Sequence, residues 1–361
     1  MSIAEVTAHP LAIAPAGGDT PWIWGSLNQV IVEVKTDDGL VGWGEAFGYG
    51  QALSAAAMVN HTLRPLLMGQ DETDIRGLVD TLMRRTHIFG RYGVTQFGIS
   101  GVEIALWDLA GKRAGKPLYQ LLGGAASRDV QAYASLVRYA DMEQMAEHAA
   151  RAVKEGYEMI KLHQIDVESV ARGRSAIGEG MPLTVDINCE WTPHEAAQMA
   201  VAMDEHDLYW LEEPVWPPED YIGLAEVMES TGVPLASGEN ACTAHQFKLM
   251  MEAGAVTYAQ PSVTKVGGIG EFLKIATLAE TYNLSLAPHS PYFGPGFVAT
   301  LHLLAHTRLA QWIEKIYFDL EADLFTEPLK FADGVYTVPD GPGLGREVNR
   351  DVLKEYRMTG D

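Results

Sequence analysis

Two patterns of hydrophobic and polar positions divide this chain. The first, over about 120 residues, mixes the helical and the strand period. Asn28–Lys35 and Leu40–Glu45 are apolar-rich runs split by Thr36-Asp37-Asp38-Gly39. Asp-Gly between strand-like runs predicts a hairpin. Helical stretches are expected over Ala52–Leu67 and Val94–Ala114. In the second of these, Ile99, Val102, Ile104, Ala105, Leu106 and Leu109 fall at helical spacing. Gly123-Gly124 closes the region.

From about Asp129 the pattern becomes strand, helix, strand, helix. Strands are expected at Val130–Leu136, Met159–His163, Leu183–Asn188, Tyr209–Pro214, Pro234–Asn240, Ala255–Pro261, Leu284–His289 and Gln311–Ile316. Amphipathic runs such as Asp141–Glu155, Pro193–Glu205 and Gly268–Tyr282 separate most of them. Short apolar strands alternating with helices pair in parallel through right-handed crossovers. Eight such strands favour a closed α/β barrel over an open sheet. The tail after Ile316 holds turn signals at Ala332-Asp333-Gly334 and Pro339–Gly345 and is expected to fold back on the N-terminal region.

Composition then removes several functions. The 361 residues allow two or three domains at roughly 100–200 residues each. Hydrophobic residues make up 47%, enough for a large core. The 26 Lys+Arg against 48 Asp+Glu leave a net charge of −22. That opposes nucleic-acid binding and a polybasic membrane anchor, which both need basic surface. No apolar run reaches the roughly 18 residues of a membrane span, and the N-terminus lacks a signal-peptide pattern. Cys189 and Cys242 form neither a disulfide framework nor a zinc spacing, so a cytoplasmic location is expected.

In a parallel barrel the active site lies at the C-terminal strand ends. The second strand ends Lys161-Leu162-His163, the third Asp186-Ile187-Asn188 and the fourth Glu212-Glu213-Pro214. The fifth ends Gly238-Glu239-Asn240, the sixth Gln260-Pro261-Ser262 with Lys265 beyond, and the seventh Pro288-His289. The eighth carries Glu314. Side chains two apart on a strand share a side, so Lys161 and His163 can both face the mouth, as can Asp186 and Asn188. Asp186, Glu212 and Glu239 end consecutive strands, each one β/α unit from the next. Converging carboxylates repel unless a hard cation such as Mg²⁺ joins them.

The ordered set of motifs resembles the enolase superfamily, mandelate racemase subgroup. It comprises Val185-Asp186-Ile187-Asn188, Trp210-Leu211-Glu212-Glu213-Pro214, Ser237-Gly238-Glu239-Asn240, Gln260-Pro261 with Lys265-Val266-Gly267-Gly268, and Pro288-His289. Gly42-Trp43-Gly44-Glu45, Ala105-Leu106-Trp107-Asp108 and Pro342-Gly343-Leu344-Gly345 resemble further landmarks. The resemblance implies a modified (β/α)7β barrel over residues 125–318, an N-terminal α+β capping domain over 1–124, and a segment 319–361 returning to the cap. It implies Mg²⁺ on Asp186, Glu212 and Glu239, and abstraction of the proton next to a carboxylate through an enediolate held by the metal. It also implies a homo-oligomer.

Two positions depart from the family pattern. The usual Lys-x-Lys is Lys161-x-His163, which puts His163 at the position of the base and Lys161 on the substrate carboxylate; the alternative is that His163 is a polar filler and a desolvated Lys161 is the base. With reference pKa values of ~6.5 for His and ~10.4 for Lys, His needs less perturbation to act as a neutral base. Ser262 stands where the family has an Asp that pairs with the seventh-strand histidine, so His289 loses that partner. Asn188, Glu314 and Lys265 are expected on the substrate or beside the acids, with Glu314 protonated. Glu213 is expected to pair with a Lys or Arg. Trp22, Trp24 and Tyr49 lie where capping loops shape the pocket. The leading expectation is dehydration of a small carboxylate, a sugar acid, to a 2-keto-3-deoxy acid. The alternatives are racemisation, epimerisation or cycloisomerisation, and a non-catalytic binding relative. His302-Leu-Leu-Ala-His306 lacks the Glu of a zinc helix. Val266–Gly270 is read as a turn into a helix whose N-terminus can take an anion.

Overall fold

The computed structural model describes residues 1–17 and 25–359. Trp22 and Trp24 lie outside the described residues. At the N-terminus β1 (Ile3–Ile13), β2 (Leu27–Thr36) and β3 (Val41–Ala46) form an antiparallel sheet in that order. The expected hairpin joins β2 to β3, with Val34 opposite Gly42 and Gly39 at φ +89°. β1 has no counterpart among the expected strands. Its Ala4, Ala8, Pro10 and Ala12 are poor strand formers, and Pro10 is tolerated because β1 is a sheet edge. Helices cover Ile75–Thr86, which is additional, and Gly93–Ala114, which ends at Gly115 in the left-handed region. β3 lies directly on the latter helix. A Cβ on Gly44 would sit 1.9 Å from the Gly101 carbonyl oxygen, so this approach requires glycine.

The eight expected strands are present: β4 (Asp129–Ser135), β5 (Ile160–Leu162), β6 (Leu183–Asp186), β7 (Leu208–Glu212), β8 (Leu235–Ser237), β9 (Tyr258–Ala259), β10 (Ser285–Leu286) and β11 (Trp312–Ile316). Most are shorter than their apolar runs, because the last residues leave the ladder to enter the mouth. They pair in parallel in chain order, and β11 returns to β4 with Glu314 opposite Tyr133. Between β10 and β11 the ring is closed by other bonds. Leu286 N–H donates to the Leu309 carbonyl at 2.9 Å. Ser290 N–H donates to Glu314 Oε2 at 3.2 Å, and Ser290 Oγ donates to the Glu314 carbonyl at 3.0 Å. A helix follows each of β4 to β10, whereas β11 leads into the hairpin β12 (Phe331–Ala332) and β13 (Val335–Thr337). The architecture is a (β/α)7β barrel with a sheet-and-helix cap.

The tail does not simply return to the cap. β13 pairs with β4, Val335 opposite Gln131. The reason is local: β5 reaches β4 only at Ala134 and Ser135, so the first half of β4 would otherwise leave backbone groups unpaired. The chain meets the N-terminal region before the hairpin, where Ala16 N–H donates to the Asp319 carbonyl at 2.7 Å and Glu321 N–H to the Ala14 carbonyl at 3.0 Å, and again beyond it, where Met358 N–H donates to the Pro10 carbonyl at 2.9 Å.

Buried carboxylates lock cap to barrel. Asp108 accepts from Trp43 N–H at 2.9 Å and Leu344 N–H at 2.7 Å, joining three landmark motifs of the sequence. Glu103 accepts from Ile269 N–H (2.7 Å) and Gly270 N–H (2.8 Å), at the start of helix Ile269–Thr281. The anion expected at the Val266–Gly270 turn is therefore this carboxylate. Glu45 accepts from Gly296 N–H at 2.8 Å, in the first turn of helix Pro295–His306. Burial pushes Glu103 up to about 7 and Glu45 up to about 8 against these donors.

His302 is a second lock and yields a test. Its Nδ1 accepts from Tyr119 N–H at 3.3 Å and its Nε2 donates to the Leu344 carbonyl at 3.2 Å, which requires the neutral ring. Burial lowers its pKa from 6.5 to about 4. The unfolded chain therefore binds a proton between these values that the folded chain refuses, so stability falls as pH drops from 6.5 towards 4. The contribution is about 3 kcal/mol. His302→Gln offers both hydrogen-bonding groups without titrating. Urea unfolding of the two proteins at pH 7 and pH 4 should show that difference in their pH dependence, and equal dependence would refute it.

Candidate active site

The acids at the strand ends converge. Asp186 and Glu212 end β6 and β7 opposite one another in register, and Glu239 follows β8 in the loop. One oxygen from each lies within 4.8 Å of the others. Asn188, at φ +51°, turns the chain back so that its N–H and Nδ2 donate to Asp186 Oδ1 at 2.8 and 2.9 Å. Asn tolerates that backbone better than most residues. Trp210 Nε1 donates to Glu212 Oε2 at 3.1 Å. Asp186 and Glu212 are thereby each held by one oxygen and offer the other to the cluster.

Lys161, fully buried on β5, stands against Glu212 (2.5 Å), Asp186 (2.9 Å) and Glu314 (3.1 Å). One ammonium cannot balance three carboxylates in a buried place. Burial, with Asp186 and Glu314 as neighbours, pushes Glu212 well above the usual carboxylate range despite Lys161. Asp186 stays low, because Lys161 and His163 outweigh its burial. Lys161 itself is held well above the ordinary lysine value by Asp186, Glu212 and Glu314 against its burial.

His163 donates from Nδ1 to the Leu136 carbonyl, and its Nε2 lies 3.2 Å from Asp186 Oδ2. His289 lies on the far side of the cluster, its Nε2 2.9 Å from Glu239 Oε2. Among the described residues its Nδ1 is buried with no hydrogen-bond partner. Ser262 does not serve it: the Ser262 hydroxyl meets Thr264 at 3.3 Å and Tyr292 at 3.4 Å. Lys265 reaches the cluster, 3.8 Å from Glu239 and over the rings of Phe47 (4.7 Å) and Phe97 (5.9 Å) from the cap. Tyr49 enters beside it, its ring 4.8 Å from Phe47. Burial raises its phenol well above the usual value, and Glu314, Glu45 and Glu239 add to that.

Two expectations are corrected. Glu314 is not a protonated donor. It accepts from Ser135 Oγ at 2.8 Å and pairs with Lys161, and Lys161 and His289 hold it low despite burial. Glu213 has no Lys or Arg partner. It accepts from Asn240 Nδ2 (2.8 Å), Ser237 Oγ (3.4 Å) and Cys189 Sγ (3.5 Å), and burial beside Glu239 and Asp186 raises it to about 8.

The structure adds Arg138 and Glu190, paired at 2.8 Å at the rim. Arg138 follows β4, and the strand-end rule that found the other residues points to it when applied to the first barrel strand. A cavity of about 730 Å³, lined by Phe293, Lys315, Tyr317 and Phe318 among others, lies on the other side of β11 and holds none of the candidate residues.

Comparison with known proteins agrees with this geometry. Residues 144–352 match the family described as enolase C-terminal domain-like. Residues 23–123 match the mandelate racemase / muconate lactonizing enzyme N-terminal domain. The chain is 36% identical to arabinonate dehydratase of Saccharolobus solfataricus over 92% of this chain and 91% of that protein. It is 34% identical to D-galactarolactone cycloisomerase of Agrobacterium fabrum, over 94% and 95%. A racemase from Streptomyces coelicolor, solved with bound magnesium, superposes with a TM-score of 0.89 at 31% identity, covering 99% of this chain and all of that one. The chain belongs to the mandelate racemase / muconate lactonizing enzyme family of the enolase superfamily.

Proposed function

We propose that this protein removes the proton next to the carboxylate of a sugar acid, with Mg²⁺ held by Asp186, Glu212 and Glu239, and that water is then eliminated to give a 2-keto-3-deoxy acid. The observation that carries this reading is the acid cluster flanked by Lys161 and His163 on one side and His289 on the other. The donor set suits a hard cation: the converging atoms are carboxylate oxygens, and their negative charge exceeds what Lys161 and Lys265 neutralise. Magnesium is bound in the Streptomyces racemase. A divalent cation there supplies positive charge where the substrate carboxylate gains negative charge as its α-proton leaves.

The remaining steps belong to the chain's own residues. Lys161, fixed as an ammonium, grips a carboxylate oxygen. His163 takes the α-proton at Nε2, since its Nδ1–H is committed to Leu136. His289 faces the opposite side and delivers a proton to the leaving hydroxyl at Cβ. Glu314 keeps Lys161 in place. Residues 1–124 act as the cap, from which Tyr49 closes over the pocket, with residues 125–318 as the barrel and 319–361 as the returning segment. The free thiols Cys189 and Cys242 fit a reducing cytoplasm.

Cycloisomerisation is the second reading, supported by the likeness to D-galactarolactone cycloisomerase. The same base and acid would expel a ring oxygen instead of water, so the product keeps the substrate's mass.

Turnover of sugar acids and their lactones in D₂O with Mg²⁺ separates the readings. A dehydratase yields a keto acid lighter by one water and returns substrate with little deuterium. A cycloisomerase yields an isomer, and an epimerase yields deuterated epimer. His163→Ala should lower kcat at least ~1000-fold and stop α-proton loss, at the upper range of general-base effects. Exchange of the α-proton undiminished in that variant would overturn the assignment of His163.

Metal binding has its own test. Asn188→Gly keeps the positive φ and the backbone N–H bond but removes the Nδ2 bond to Asp186 Oδ1. Mg²⁺ affinity by calorimetry should fall roughly tenfold, the usual cost of removing a ligand's hydrogen-bond partner. Asp186→Asn, Glu212→Gln and Glu239→Gln should each lose more. Unchanged affinity in all three carboxylate variants would sink the metal assignment.

A further inference from the structure

The mouth is uneven. On the cap side, Lys265 and His289 are 5% and 7% exposed, beneath Phe47. On the side of β4, β5 and β6, among the described residues, Arg138 and Glu190 are 38% and 42% exposed and Asn188 is exposed between them and the acids. A substrate whose carboxylate meets the acid cluster can extend its remaining carbons toward these exposed groups.

Arg138 is tied to the site. Its Nε donates to the His163 carbonyl at 2.8 Å, its Nη1 to Glu190 Oε1 at 2.8 Å, and its Nη2 to the Ile187 carbonyl and Asn188 Oδ1 at 3.4 Å each. Asn188 in turn holds Asp186. The guanidinium is thus two hydrogen bonds from a carboxylate of the acid cluster and one from the backbone of His163. It keeps one unused N–H, on Nη1, and Glu190 keeps acceptor capacity beside it.

Charge decides what this pair can read. Among the described residues, the other cations whose contacts place them at this mouth are committed, Lys161 to Asp186, Glu212 and Glu314, and Lys265 to Glu239. Glu190 already neutralises Arg138. Residues 18–24 contain no Lys or Arg. A second carboxylate at the far end of the substrate would meet Glu190 and no uncommitted cation. A hydroxyl group meets a free N–H of Arg138 and an acceptor oxygen of Glu190 side by side.

Resting on the sugar-acid reading above, we infer that Arg138 and Glu190 form a specificity site for the hydroxyl-bearing tail of a monocarboxylate sugar acid, and that Glu190 excludes the corresponding dicarboxylate. The exclusion is like-charge repulsion built against the wrong ligand. Glu190 and Arg138 act on binding, so the test does not depend on turnover.

Calorimetric titration with Mg²⁺ present compares gluconate and galactonate with glucarate and galactarate. The wild type should bind a monoacid at least ~10-fold more tightly than its diacid. Glu190→Gln keeps the shape and removes the charge, and should narrow the ratio to about threefold or less by improving diacid binding. Arg138→Ala should weaken binding of the monoacid about tenfold, more than it weakens that of Mg²⁺. A diacid bound as well as the monoacid overturns the inference, as does a preference that Glu190→Gln leaves intact. Failure to bind any of the four acids overturns it too. A diacid preference removed by Arg91→Ala would place the distal reader on the cap and equally overturn it; Arg91 adjoins the segment that meets Cys242 through Gly93. Binding as expected without α-proton exchange would instead count against the proposed reaction alone.

Discussion

More negative charge converges at the strand ends of this barrel than its lysines can neutralise. Asp186, Glu212, Glu213, Glu239 and Glu314 face one region, against Lys161 and Lys265. Much else about the site follows. Glu212 and Glu213 are driven up in pKa by burial and by their neighbours. Lys161 is fixed as an ammonium and is unsuited to take a proton. The surplus is the property that makes a hard divalent cation, and through it an anionic substrate, welcome in an acidic protein.

A cluster of that kind is costly to bury and keeps its shape only in stiff surroundings. The cap helps to provide them. Its helix Gly93–Ala114 presents Glu103 and Asp108 to backbone N–H groups of the barrel and the tail, and β3 presents Glu45 to the helix after β10. These carboxylates sit at helix starts or turns where backbone donors need partners. The same docking brings Phe47 over Lys265 and His289, excluding water from one side of the mouth. Fold stability and substrate access are therefore set by one interface.

The two departures from the family pattern have different structural meanings. His163 is an ordered replacement, its Nδ1 held by the Leu136 carbonyl and its Nε2 aimed at the acids. Ser262 is a loss: its hydroxyl turns to Thr264 and Tyr292, and His289 turns to Glu239. His163 on one side, and on the other a histidine whose only carboxylate neighbour among the described residues belongs to the acid cluster, make an unequal pair that suits elimination better than symmetric two-base exchange.

The sequence by itself determined the barrel, the hairpin of the cap and the convergence of Asp186, Glu212 and Glu239. Strand period and strand-end position are local properties, and a parallel barrel sends all C-terminal ends to one face. It missed β1, whose Ala and Pro residues carry little strand signal and whose pairing is decided by β2. It misjudged Glu213 and Glu314, because the partner of a buried charge depends on which strands become neighbours. β4 and β11 are far apart in the chain, yet their contact puts Ser135 on Glu314, and β5 puts Lys161 there too. The tail likewise went to β4 because β5 leaves half of that strand uncovered. Residue type and spacing fixed which groups reach the mouth. Only the folded chain decided which of them neutralise one another, since the energy of a buried charge is set by neighbours a few ångströms away rather than by its place in the sequence.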